Sequence, residues 1–334
     1  MSKRTVTGRQ LKRRTPTNPS SKPFQPHSKL APYNKNRGKS TGAKTPTESV
    51  LSNKSSNRQS GVPEAVAAFV KSTCAKGVSG IKKEFIENRR YHPDATNLAF
   101  LANPAKNRYV DVVCMDKTRV ELRDRDNDYI HASWEECGQI VMLCELVENN
   151  RPKCAAYWPQ RTGEKNTYGD VTVCKVSETG KELLGKKERL VFSTLEVTKD
   201  GCAPRTVIHR HWVNWPDRGS PTDIRGLLKL RTLIAECAVG QPVVVHCSAG
   251  IGRTGTLVLV DMGMAAMEDN KPLDILVMMK SIRDQRMHSI QTDAQYLFAY
   301  KSLMDYAVMK FHHEKTKAIN QFTDDYQKEQ PKST

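Results

Sequence analysis

The stretch VVVHCSAGIGRTGT, residues 243–256, narrows what this chain can fold into more than any other feature. Val243, Val244 and Val245 are β-branched and suit a pleated surface covered on both faces, so they predict a buried central strand. The strand delivers His246 and Cys247 into a loop punctuated by Gly250, Gly252 and Gly255. The apolar run 256–260, beyond Arg253, predicts the start of a buried helix. Strand, glycine turn and helix N-terminus make an anion cradle: successive backbone N–H groups point inward and the helix dipole adds partial positive charge. The cradle is not a nucleotide P-loop, which would end in Gly-Lys followed by Ser or Thr.

A cysteine at its mouth with an arginine six positions on has a chemical reason. A free thiol is only a few per cent thiolate at neutral pH, and helix N-termini and nearby cations raise that fraction. A cradle that attracts phosphate therefore also holds Cys247 as a nucleophile, while the planar fork of Arg253 suits bidentate contact with phosphate oxygens. A lone cysteine is most often a buried structural residue. The spacing His-Cys-x5-Arg-Thr-Gly reverses that preference. On these residues, HCSAGIGRTG resembles the signature of the tyrosine-specific, cysteine-dependent protein phosphatases.

Charge is distributed unevenly. Residues 1–61 are rich in Ser, Thr, Pro, Asn and Lys, and the first 60 hold 14 Lys and Arg against Glu48, which is +13 of the chain's +17. Such a segment cannot bury enough apolar surface to fold and reads as a disordered basic tail. The candidates for its partner are nucleic acid, an anionic membrane or an acidic protein, with Lys12-Arg13-Arg14 a candidate nuclear import signal, against a plain solvated linker. Thr15-Pro16 and Thr45-Pro46 are weak candidates for phosphorylation. Nine cysteines without a CxxC pair suggest neither a disulfide framework nor a zinc site. The basic N-terminus lacks the apolar run of a secretory signal, and no stretch approaches a membrane span. These features lead us to expect a reducing compartment, the cytoplasm or the nucleus, where a nucleophilic thiolate escapes oxidation.

Order is expected from residue 62. Residues 63–70 and 81–88 read as two helices separated by Gly77 and Gly80, resembling those that lead into a tyrosine phosphatase domain. Residues 103–112 read as a loop entering a strand over 110–115 and resemble the family's substrate-recognition loop. That resemblance puts Tyr109 against the phosphotyrosine ring and Asp111 on the substrate backbone, and it makes a deep pocket that excludes short phosphoserine. Residues 128–133 resemble the next core strand, with His131 where Asn is usual. The chain then runs straight from Ser133 to Trp134, where family members carry a few dozen more residues. It reads as shortened there.

Residues 148–154 resemble the family's Glu-loop, which implies that Glu148 braces Arg253 and that Lys153 meets the acid loop. Strands are expected over 171–175, 190–197 and 206–213, all antiparallel. Trp215-Pro216-Asp217 follows. A phenolate leaves poorly unless protonated, and a positioned carboxylic acid supplies the proton and later activates water. The Trp215-Pro216 pair stiffens a loop able to close over substrate. By resemblance Asp217 is the general acid and base, with Arg218 replacing the usual aromatic or histidine after it. Helices are expected over 224–239, 272–283 and up to about residue 311. Residues 291–296 resemble the glutamine loop, implying that Gln291 orients the hydrolytic water and Gln295 supports it; Thr292 alternatively reads as a helix N-cap.

The resemblance covers residues 62–312 and implies an α/β domain: a highly twisted mixed sheet flanked by helices, shortened after Ser133, with a polar, loose tail over 313–334. It implies hydrolysis of phosphotyrosine in proteins through a cysteinyl phosphate, without metal or organic cofactor. Cys247 attacks, Arg253 and the loop amides of Ser248, Ala249, Gly250, Ile251 and Gly252 hold the phosphoryl oxygens, and the Thr254 hydroxyl assists thiolate departure. His246 either tunes the thiolate or is a buried histidine bonded to backbone. Two rivals remain open: a phosphotyrosine-binding module that has lost turnover, favoured by the shortening, and a chain whose tail does the main work.

Overall fold

The computed structural model describes residues 61–122, 126–132, 138–183, 189–235 and 242–330, all within the compact unit Lys39–Thr334. The basic tail with its candidate signals, the junction of Ser133 with Trp134, and residues 236–239 of the expected helix lie outside them. Helix α1 (Glu64–Asn88) spans both expected lead-in helices, with the break at Gly77, whose φ of 64° and ψ of 173° interrupt it. On each side of that break, apolar residues three and four apart face inward: Val66, Phe69 and Val70, then Val78, Ile81 and Phe85 are buried. They meet helix α6 (Asp293–Phe311), where Phe69 stacks on Tyr300 and Phe85 packs on Tyr296.

After α1 comes a small lobe with its own cluster of Phe100, Cys114 and Tyr129. It contains α2 (Leu98–Ala102) and a 3-10 turn over Pro104–Lys106. The strands expected over 110–115 and 128–133 do not form here. Their neighbourhood carries one isolated bridge, Glu121 with Tyr129, and two backbone bonds of 2.8 Å, Val120 to Ala132 and Leu122 to Asp128. A two-stranded ribbon on its own is marginal, and among the described residues no further strand joins this one.

Among the described residues the main sheet has six strands, in the order β4-β5-β6-β7-β1-β8. They are β1 (Gln139–Met142), β4 (Lys165–Tyr168), β5 (Val171–Leu183), β6 (Arg189–Lys199), β7 (Arg205–Val213) and β8 (Val243–His246), while β2 (Val147–Glu148) and β3 (Arg151–Pro152) form a separate short hairpin. β5 to β7 run antiparallel as expected, β4 adds a further antiparallel strand to β5, and β1 is parallel to both β7 and β8. The sheet is therefore mixed. β8 corrects one expectation: among the described residues it is an edge strand, paired only with β1, and its four residues are half-buried. Its β-branched run fits a covered strand, but coverage depends on what chain lies beside it, which local sequence does not encode.

Four helices complete the layers around α3 (Arg225–Ala235): α4 (Gly252–Glu268), α5 (Ile275–Gln285), α6 (Asp293–Phe311) and α7 (Lys317–Glu329). α4 packs so closely on α6 that a Cβ at Gly263 would lie 2.5 Å from Leu303. α7 corrects the expected loose tail. Thr316 caps it by accepting from the Ile319 N–H, and Ile319, Phe322 and Tyr326 are buried on one face. Those three apolar side chains recur at helical spacing in an otherwise polar segment, so composition hid what periodicity contained. Among the described residues no helix is long and apolar enough to cross a membrane.

Candidate active site

β8 ends at His246 and the chain turns through Cys247 to Ile251 before α4 begins at Gly252. Cys247 is 7 % exposed, and its Sγ accepts the Gly250 N–H at 3.3 Å. Gly250 has φ of +69°, and a Cβ there would sit 3.3 Å from Arg286 Nη2, so the turn needs glycine both for conformation and for space. Ile251 is buried, and its carbonyl accepts from Gly255 and Ile290. Gly255 permits that approach: an added Cβ would lie 2.8 Å from the Ile290 nitrogen.

Arg253 enters from the first turn of α4 at 2 % exposure. Its Nη1 donates to Glu148 Oε1 at 2.5 Å and to the Trp215 carbonyl at 3.0 Å; its Nη2 donates to Glu148 Oε2 at 3.0 Å and to Asp217 Oδ1 at 3.1 Å. Burial disfavours this cation, but the Glu148 hydrogen bonds and the charges of Cys247 and Glu148 outweigh it and lift its pKa. Glu148 is itself fixed, accepting the Glu145 N–H at 3.0 Å. Lys153, on the return of the β2–β3 hairpin, donates to Asp217 Oδ2 at 2.5 Å. Partial burial acts to raise the Asp217 pKa, yet the Lys153 bond and the charges of Arg253, Lys153 and Arg218 prevail and hold it below the usual carboxylate range.

The Asp217 loop is anchored at several points. Trp215 is 2 % exposed, packs on Trp212 at 4.9 Å and donates from its indole to the Gly219 carbonyl. Thr292 caps α6 by accepting the Gln295 N–H, and the same hydroxyl donates to the Arg218 carbonyl at 3.0 Å. Gln295 accepts the Gln291 N–H, and a Cβ at Gly252 would meet Gln295 Nε2 at 3.0 Å and Gln291 Oε1 at 3.1 Å, so both glutamines crowd the start of α4. Tyr109 reaches the signature loop across the small lobe, its hydroxyl 2.7 Å from Ser248 Oγ, which donates to the Lys153 carbonyl.

Two expected residues stand apart. Asp111 is exposed, and among the described residues no hydrogen bond ties it to the signature loop. Thr254 Oγ1 is buried without a hydrogen-bond partner among the described residues, so the expected link to Cys247 is not made here. His246 bonds both ways, Nδ1 to the Cys247 carbonyl at 3.2 Å and Nε2 to the Tyr157 hydroxyl at 2.7 Å; burial holds its pKa down. Arg286 was not foreseen. It donates to the Ala249 carbonyl at 3.1 Å and the Gly250 carbonyl at 3.4 Å, and it is braced by His131 Nδ1 at 3.2 Å. A charged residue at the end of a helix gives no sequence signal that it will bend inward.

A strand–loop–helix cradle with a cysteine at its floor, a buried arginine beside it and a carboxylate from a second loop defines the class of the cysteine-loop phosphatases. The model of the protein-tyrosine phosphatase family matches residues 103–136 and 134–305, and the chain belongs to that family. The two matched pieces overlap over residues 134–136, just after Ser133. The chain is 32 % identical over 279 residues to mouse (Mus musculus) tyrosine-protein phosphatase non-receptor type 9, covering 68 % of this chain and 46 % of that protein. It is 40 % identical over 186 residues to human (Homo sapiens) receptor-type tyrosine-protein phosphatase epsilon, covering 54 % of this chain and 26 % of the relative. It thus spans less than half the length of these relatives.

Proposed function

We propose that this chain hydrolyses phosphotyrosine in proteins through a cysteinyl-phosphate intermediate. Cys247 Sγ attacks phosphorus; an S–P bond forms as the bond to the tyrosyl oxygen breaks, and Asp217 delivers a proton to that oxygen. Asp217, now a carboxylate, takes a proton from a water oriented by Gln291; that water attacks phosphorus and the thiolate leaves. Arg253 and the amides from Ser248 to Gly252 hold the equatorial oxygens where charge is spread.

One observation carries this reading: the Asp217 carboxylate lies 3.1 Å from the same guanidinium that the cysteine loop presents. In the free chain that carboxylate is ionised, which is the wrong form for an acid. A phosphate dianion entering the cradle draws Arg253 toward itself and places two negative charges near Asp217. Both effects raise the Asp217 pKa, so the substrate itself brings the acid into its protonated form.

The chain is expected to turn over a phosphotyrosyl peptide and to leave the phosphoseryl counterpart untouched, because the Tyr109 wall deepens the pocket. Asp217→Ala should lose about 10²–10⁴ in kcat while still retaining the peptide, the size of one acid–base contribution. If the unaltered protein binds the peptide with no turnover, the binding-module reading replaces this one. The expected setting is the cytoplasm or the nucleus.

A further inference from the structure

Behind the signature loop, three side chains from three separate segments converge. Cys144 follows β1, Cys154 follows β3 on the return of the short hairpin, and His246 closes β8. One ligand atom from each lies within 4.8 Å of the other two. The backbone fixes this meeting. Met142 is in register with His246, and the Leu143 N–H donates to the His246 carbonyl at 2.8 Å, which sets Cys144 beside β8. The N–H groups of Lys153 and Cys154 both donate to the Leu146 carbonyl, folding the hairpin back over the end of β1. Both thiols are free, Cys144 buried and Cys154 half-buried.

The imidazole is already in the form a metal needs. A carbonyl only accepts, so the bond to the Cys247 carbonyl puts the hydrogen on Nδ1 and leaves the lone pair on Nε2, which takes the Tyr157 hydroxyl hydrogen. A ring N–H donated to a backbone carbonyl is the usual outer partner of a metal-bound histidine. We propose that Cys144, Cys154 and His246 form a three-ligand site for a soft divalent cation of the zinc class. Two thiolates and an imidazole suit zinc and offer nothing to magnesium or calcium. On binding, two S–H bonds break and their protons pass to solvent; Nε2 exchanges the Tyr157 hydroxyl for the metal, and a water or that hydroxyl fills the fourth position.

The site would bear on its neighbours. Cys154 adjoins Lys153, which holds Asp217, and Cys144 adjoins Glu145, whose N–H holds Glu148. It stands whether or not the cysteine loop turns over phosphate. Short-range cysteine spacing misses it because the histidine arrives from a distant strand.

The test uses reduced, chelator-stripped full-length chain titrated with zinc against a chromophoric chelator, and with cobalt(II) read by its thiolate charge-transfer absorption. Unaltered protein and Cys247→Ser should each bind one equivalent, with a rise in Tm on adding zinc. Cys144→Ser and Cys154→Ser should each weaken binding by at least about tenfold and lower the charge-transfer absorption by about half, since each removes one of the two thiolates. Cys154 is half-buried, so its variant keeps the test alive should Cys144→Ser fail to fold. Binding that survives both serine variants and disappears in Cys247→Ser would assign the metal to the signature thiol and overturn the proposal, as would no binding at all.

Discussion

Arg253 keeps a guanidinium at 2 % exposure because two carboxylates and a backbone carbonyl share its donors. The opposite solution operates a few ångströms away, where a buried base is kept uncharged. His209 is 1 % exposed, its Nε2 lies 2.7 Å from the Tyr157 hydroxyl, and Trp158 packs on its ring at 4.5 Å. Burial, with the charges of His211, His246 and Lys175, pushes its pKa down to about 3. In the unfolded chain a histidine titrates near 6.5, so below that pH the unfolded state binds a proton that the native state refuses. The His209 contribution to stability is complete above about pH 6.5 and is lost as pH falls toward 3, with a slope approaching about 1.4 kcal/mol per pH unit. Urea midpoints at pH 7 and pH 5 should therefore separate in the unaltered chain, and the separation should shrink by about one proton's worth in His209→Gln.

At the scale of elements, α7 turns a segment that reads as polar tail into part of the packing. Phe322 and Tyr326 are 3 % and 6 % exposed, and Lys82 on α1 meets Glu329 at 2.6 Å. Phe322→Ala removes a buried ring, a change that costs about 3–5 kcal/mol in a core. The loss is limited by the free energy of undocking this one helix. A fall on the order of 3 kcal/mol by urea unfolding, with early hydrogen exchange confined to α7, is the expected outcome. The short β2–β3 hairpin shows the converse: two strands of two residues each have little stability alone, yet they carry Glu148 and lead into Lys153 because Arg253 and Asp217 hold them from the other side.

Across the whole molecule, charge is spread unevenly along the chain. The first 60 residues hold +13 of the net +17, while the described part builds the cradle. We propose that an acidic surface, whether nucleic acid, anionic membrane or protein, is the partner of that segment. Removing residues 1–60 should leave phosphotyrosyl-peptide turnover within about twofold and should lower the salt needed to elute the protein from an anionic matrix, because counterion release scales with the charges engaged. Equal elution of the two forms would refute the tail's role. Among the described residues the order β7-β1-β8 leaves the signature strand at the edge of the sheet.

Local sequence alone determined the parts of this protein whose physics is local. The cradle needs a strand, glycines at fixed offsets and a helix start, and all of these lie within residues 243–256. Thr292 as an N-cap and α6 ending at Phe311 are written the same way, in a short polar side chain and a helical period. The pairing of Lys153 with Asp217 was legible only through resemblance. What tertiary structure decided is where distant segments meet: Arg286 against the cysteine loop, Tyr157 between two histidines, Cys144 beside Cys154 and His246, and β8 at an edge. Each of these depends on which strand lies next to which, and strand order is set by the packing of the entire sheet.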